Sequence, residues 1–249
     1  MNRKPWYLIK AAPQISQKHG ETVCCAAIDL DGNWLRLYPV SFRHLDDGQK
    51  FGRWDRVRFN WSLPKDDQRR ESRRIDQQSL TIDGALPKRE RQDFLSSLIV
   101  TSRDKEREEG RSLAMLQAEI LEFFHEKKTA EEIATVTGKF RALHDQDDLF
   151  NTKPLIPYYP APYKFKYRYQ TDDGLREGTC QDWEIEATFY RWSKRYDEKE
   201  TLDRISEVFG EEYRRKGMLL AMGTHSLYPD RWLINGVIRL DEVKQFSLL

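Results

Sequence analysis

The stretch "YKFKYRY", residues 163–169, alternates ring and cation without a slip. Successive side chains of a β-strand point to opposite faces. Tyr163, Phe165, Tyr167 and Tyr169 therefore share one side, and Lys164, Lys166 and Arg168 share the other. A face of four rings has to be covered, and the apolar faces of the helices expected at 183–196 and 202–213 can cover it. The cationic face then meets either solvent or the phosphates of a nucleic acid, and both readings stay open at this level.

The rest of the chain divides by pattern. In the first sixty residues "WYLIKAAP", "TVCCAAIDL", "NWLRLYPV" and "DRVRFNWS" are short, rich in β-branched and aromatic residues, and separated by turn residues. Asp31-Gly32 suits a hairpin over residues 22–40. Short strands at this spacing imply a small barrel or a strongly bent sheet, and "SLTIDG" adds a further strand after an Arg-rich run. Residues 86–109 read as charged helix, "SLAMLQAEILEFFHEKK" as either helix or strand, and residues 127–153 as polar and irregular. The proline-rich "KPLIPYYPAPY" reads as extended backbone at a domain boundary.

Beyond that boundary the elements run β-β-α-α-β-β. "TDDG" joins the first two strands. Ile185, Phe189, Trp192 and Tyr196 then line one helix face, and Leu202, Ile205 and Phe209 line a second. The expected fold is thus α+β. An OB-like small β-barrel with a helical extension would occupy residues 1–110, a connecting segment 111–153, and an antiparallel sheet with two helices on one face 154–249. The barrel takes its OB-like character from the resemblance described next.

The stretch "YLIKAAPQISQKHGETVCCAAIDLDGNWLRLYPVSFR" resembles a group of uncharacterised prokaryotic proteins. The shared pattern is K-x-x-P-x-x-S-x-x-x-x-E-T-V-C followed by W-[IL]-R-L-Y-P-x-x-F-R. Its residues here are Lys10, Pro13, Ser16, Glu21 to Cys24, Trp34 to Pro39, Phe42 and Arg43. "YKFKYRY", "DWE" and "GTH" with a downstream W-x-I-x-G-V extend the likeness over most of the chain. More loosely, the first forty residues are similar to dual-OB-containing domains of bacterial conflict systems, with "KDDQRRESRR" as a diluted D-P-R-P-E-S-like segment. That likeness implies an OB-like barrel and a setting in phage defence.

Charge narrows the function classes. The chain of 249 residues carries 42 Lys+Arg against 41 Asp+Glu. Residues 1–107 hold 21 of the cations and 15 of the acids, a basic bias that suits a polyanionic partner. No apolar run reaches the roughly 20 residues a membrane helix needs, and no secretion signal is visible, so a cytoplasmic protein is expected. Walker, dinucleotide and G-x-S-x-G patterns do not occur. Cys24, Cys25 and Cys180 match no zinc spacing, and the adjacent Cys24 and Cys25 read as small buried hydrophobes.

Three functions follow as expectations. The first is a non-enzymatic protein binding single-stranded DNA or RNA, with Arg36, Arg43, Arg53, Arg56, Arg58, Lys164, Lys166 and Arg168 on phosphates and no cofactor. The second is a nuclease in which Asp182, Glu184 and His225 hold Mg²⁺ or Mn²⁺. Against it, Asp182 stands where an aspartate caps a helix, with Glu184 in the first turn. The third is a protein-interaction subunit of a defence complex.

Overall fold

The structure, a computed structural model, describes residues 6–11, 14–16, 20–147, 160–225 and 228–240. Pro13, Asp148 and most of the proline-rich run lie outside them. Among the described residues the architecture is mixed α+β, built on two sheets and several helices. No described helix is long and apolar enough to cross a membrane.

The first sheet contains β1 (Trp6–Lys10), β2 (Gln14–Ser16), β3 (Gly20–Ile28), β4 (Trp34–Val40), β5 (Asp55–Ser62) and β6 (Ser72–Ala85). Their order is β1-β5-β6-β4-β3-β2, and β1 also pairs with β3. Among the described strands of this sheet, only β4 and β6 run parallel. The β3–β4 hairpin forms as the sequence suggests. The Asp29 carboxylate accepts the Asp31 and Asn33 amides, both at 2.9 Å, and Gly32 takes φ 79°. The Arg-rich run does not stay in a loop. Ser72 to Arg74 open β6, and the same strand absorbs "SLTIDG".

The second sheet contains β7 (Ile99–Val100), β8 (Leu113–Leu116), β9 (Glu119–Lys127), β10 (Tyr163–Thr171), β11 (Gly174–Cys180), β12 (Met218–Thr224) and β13 (Trp232–Arg239). Their order is β7-β8-β12-β13-β11-β10-β9. The expected antiparallel sheet is in fact mixed, because β7–β8 and β11–β13 pair in parallel. The helical segment after β11 carries the chain across the sheet, so β13 returns beside β11 in the same direction. Residues 113–127, assigned to the connecting segment, supply two of the seven strands.

Among the described residues six α-helices accompany the sheets: α1 (Lys88–Ser96), α2 (Arg103–Glu108), α3 (Ala130–Asp147), α4 (Trp183–Trp192), α5 (Glu198–Ile205) and α6 (Tyr213–Lys216). Residues 130–147 were expected to be irregular. The signal for α3 is Thr129 with Glu132: the hydroxyl accepts the Glu132 amide at 3.1 Å, and the carboxylate accepts the Thr129 amide at 3.0 Å. That reciprocal pair is a capping box.

Three apolar layers hold these elements. Tyr163, Phe165, Tyr167 and Tyr169 are buried beneath Ile185, Phe189, Leu202, Ile205 and Phe209 of the helical side. The rings of the alternating strand thus face the core. Val23, Cys25, Leu37, Val57 and Phe59 fill the first sheet. A third layer, with Ile28, Trp54, Leu95, Leu113, Met115, Leu219 and Ile238, joins the two sheets. β12 is therefore buried on both faces, which explains its unbroken apolar sequence.

A π-helical stretch, Ser206–Glu212, links α5 to α6. Inside it the Phe209 carbonyl accepts the Tyr167 hydroxyl at 2.9 Å. A Cβ on Gly210 would lie 3.1 Å from Phe123 Cβ, so a glycine allows the helix to settle on β9.

Candidate functional site at the junction of the sheets

The cations of the alternating strand carry their own acids. Lys164 meets Glu132 of α3, Lys166 meets Glu126 at 2.8 Å and Glu177 at 3.0 Å, and Arg168 meets Glu122 and Glu177. The Glu126 and Glu177 carboxylates hold the Lys166 ammonium above its usual range. Neighbouring strands put Glu122, Glu126 and Glu177 opposite cations of β10, as in Arg168↔Glu122 and Arg168↔Glu177, while Glu132 comes from α3. The ribbon is a compensated charge ladder. As a seat for phosphate it is corrected by this pairing.

The other expected cations are spent in similar ways. Arg36 is buried, 3% exposed, where no polymer reaches it. Arg53 is paired with Glu184 at 2.9 Å, and Arg56 and Arg58 share Asp83. Arg43 lies in the 3₁₀ turn Phe42–His44. The six barrel and ribbon cations paired with acids, Arg53, Arg56, Arg58, Lys164, Lys166 and Arg168, therefore make no continuous positive track.

Asp182, Glu184 and His225 are not brought together. Asp182 is 2% exposed and caps α4, accepting the Glu184 amide at 2.8 Å and the Val237 amide at 2.8 Å. Burial pushes its carboxyl up to about 6, against the pull of Arg53 and the two amides. Val237 pairs with Leu220, whereas His225 follows Thr224 at the far end of β12. Five residues of strand, about 16 Å at 3.3 Å each, separate the two levels. Among the described residues no group of three His, Cys, Asp or Glu is placed to hold a metal ion. The capping reading of Asp182 is the one realised.

Lys10 lies beside this corner, with Nζ 3.9 Å from the Phe42 ring centroid and 5.4 Å from that of Trp183. Burial lowers its pKa, while the charges of Cys25, Glu184 and Asp182 oppose the shift.

What does converge is a polar seam between the sheets, drawn from motifs far apart in sequence. Ser112, just before β8, donates its amide to Glu71 at 2.8 Å and its hydroxyl to the other carboxylate oxygen at 2.9 Å. Arg36 of β4 donates to the Ser112 carbonyl at 3.0 Å and to Cys24 Sγ at 3.4 Å. Arg69 grips Asp67 with two nitrogens and the Thr224 carbonyl with a third, at 2.8 Å. Burial opposes ionisation of Asp67, but bonds from Arg69 and Ser72 outweigh it and hold the carboxyl down at about 2. A Cβ on Gly223 would lie 2.2 Å from Asn235 Nδ2 and 3.3 Å from an Arg36 nitrogen. Only a glycine admits that approach.

Beside the seam a cavity of about 600 Å³ opens, lined among others by Asp29, Trp34, Arg70, Arg73, Glu106 and Arg111. The Arg70 side chain is 58% exposed; its Nε is ion-paired with Glu71 at 3.9 Å, beyond hydrogen-bond range, and its Nη1 donates to the Glu109 carbonyl at 3.4 Å. Arg73 donates to the Arg70 and Ser72 carbonyls and lies 4.7 Å over the Trp61 ring. Arg111 is clasped by Glu106 and Glu109. Sequence reasoning passed over Trp34, Arg73 and Arg111 as site residues. The available signal was "KDDQRRESRR", whose mixed charges also fit a solvated face.

Comparison with known proteins adds a family. Residues 94–249 match a domain of unknown function, DUF8757, and residues 4–101 match a domain of unknown function, DUF8758. The first match covers more than half of the chain. The chain belongs to the DUF8757 family. The two matches meet at residues 94–101, in α1 and β7, where Leu95 and Leu98 join the layer between the sheets. No curated protein matches the chain. One of the solved structures that do match is described as "Molecular basis for abrogation of activation of pro-inflammatory cytokines". It is 9% identical, with a TM-score of 0.32 over 73% of this chain and 75% of that one. A likeness at that level carries no argument.

Proposed function

We propose that this DUF8757 protein binds single-stranded DNA or RNA at the junction cavity, mainly through phosphate, without catalysing a reaction on it. One observation carries the reading: an indole, Trp34, and a largely exposed arginine, Arg70, line the same cavity. Single strands are held by cations on phosphates and by aromatic rings under bases, each stack worth about 1–3 kcal/mol.

The strand pairings support it. They can be followed as a circuit, β1–β3–β4–β6–β5–β1, with β4–β6 its one parallel contact. This is the order expected of an OB-like barrel, in which β3 and β4 count as the second and third strands. OB folds hold oligonucleotides on those strands and on the loop before the fifth. Trp34 opens β4, Arg70 lies in the connection between β5 and β6, and Arg73 follows at the start of β6.

Gel-shift titrations with single-stranded DNA, single-stranded RNA and duplex DNA at two salt concentrations test the proposal. Affinity for a single strand should fall steeply with salt, and Arg70→Glu should weaken it about tenfold or more. Absence of binding to all three at low salt would end the reading.

A further inference from the structure

We infer that the cavity takes one nucleotide unit of the bound strand, a base with its phosphate, and leaves the neighbouring units outside. The inference rests on the nucleic-acid reading above and names what enters the site. Sites that enclose small molecules occupy roughly 300–1,000 Å³, and a cavity of about 600 Å³ falls among them. A groove tracking a strand through an OB fold instead accommodates roughly 4–16 nucleotides.

The lining separates into two kinds of partner. Trp34 is half-buried and rests against the apolar layer between the sheets, which fixes its ring. Most acids of the cavity are engaged. Asp29 accepts backbone amides of its own turn, Glu106 holds Arg111, and both Glu71 oxygens are taken by Ser112. Each Glu71 oxygen already accepts one hydrogen from Ser112, so Arg70 meets that carboxylate only as a loose ion pair at 3.9 Å. The Arg70 tip makes one long bond, Nη1 to the Glu109 carbonyl at 3.4 Å. Its charge is available to a phosphate while Trp34 stacks on the base. Asn33 and Ser97, also in the lining, donate to Asp29 and to the Phe94 carbonyl, so what they offer a base edge is their side-chain oxygens as acceptors.

The test is displacement of a labelled single-stranded oligonucleotide by nucleoside 5′-monophosphates, by the parent nucleosides and by inorganic phosphate. The monophosphates should displace it completely, and nucleosides and phosphate should each need about tenfold more or fail. Trp34→Ala should weaken the monophosphates about tenfold, while Trp34→Phe, which keeps a ring, should restore most of the affinity. Thermal melting of both variants separates loss of the ring from loss of fold. If the oligonucleotide binds but no monophosphate displaces it, or phosphate alone does so equally well, the inference is overturned and the nucleic-acid reading stands. If the oligonucleotide does not bind at all, that reading falls first and the inference with it.

Discussion

Glu71 and Ser112 are bonded twice across the junction of the sheets, carboxylate to amide at 2.8 Å and carboxylate to hydroxyl at 2.9 Å. Both residues are buried, and Ser112 in turn accepts from the buried Arg36. Glu71→Ala leaves an amide and a hydroxyl without their acceptor and removes the nearest relay for the Arg36 charge. Losing one partner of such a buried set costs about 3 kcal/mol. A lowered urea midpoint with an unchanged slope should report it.

Gly223 faces Asn235, Leu113 and Arg36 too closely for any side chain. Gly223→Ala should therefore destabilise the fold by about 1–3 kcal/mol, the usual cost of overpacking. Adding Asn235→Ala should recover part of that loss, since the tightest contact is with its amide. Strictly additive losses in a double-mutant cycle would show that the crowding lies elsewhere.

Two carboxylates give stability a pH dependence of opposite sign. The Asp182 carboxyl, raised to about 6 by burial, binds its proton more tightly in the folded state than in the unfolded one. Its contribution is fully present below the unfolded value of about 4 and is lost as pH rises from there through 6, by at most about 3 kcal/mol. Asp67, held down at about 2, contributes above pH 4 and loses that contribution as pH falls toward 2. Relative to Asp182→Asn, the wild type should lose stability between pH 4 and 7. Parallel curves for the two proteins would contradict the assignment.

Tyr167→Phe removes the hydroxyl that donates to the Phe209 carbonyl. The carbonyl is left buried, at a cost of about 1–2 kcal/mol. Faster amide exchange confined to residues 206–212 should accompany the fall in stability.

Because Lys164, Lys166 and Arg168 are matched by Glu122, Glu126, Glu132 and Glu177, the triple change to Ala should leave single-strand affinity within about twofold. Exposed pairs of this kind contribute about 0–1 kcal/mol each. A loss as large as that of Arg70→Glu would return the binding site to the ribbon.

The local elements were legible before any coordinates. Strict alternation placed Tyr163 to Tyr169 on a strand with a ringed core face, and Asp31-Gly32 and "TDDG" marked hairpins now seen as β3–β4 and β10–β11. Asp182 could be read as a helix cap because its chemistry acts within one turn of chain. Such features depend on neighbours a few residues away, which a sequence displays directly. The helix α3 was missed although its capping box was present, since a polar composition does not reveal which apolar face will be used.

Which charges remain open was decided by the fold alone. Lys166 and its acids Glu126 and Glu177 are brought together by strand order, and Arg36, Glu71, Ser112 and Thr224 by the docking of one sheet on the other. A cation's availability depends on what lies within a few ångströms of its tip, and Coulomb attraction at that range is set by tertiary distance. Composition determined that this chain has cations, rings and acids in quantity. Their pairing, and the cavity left between the sheets with Trp34 and Arg70 in its wall, came from packing two apolar faces into one layer.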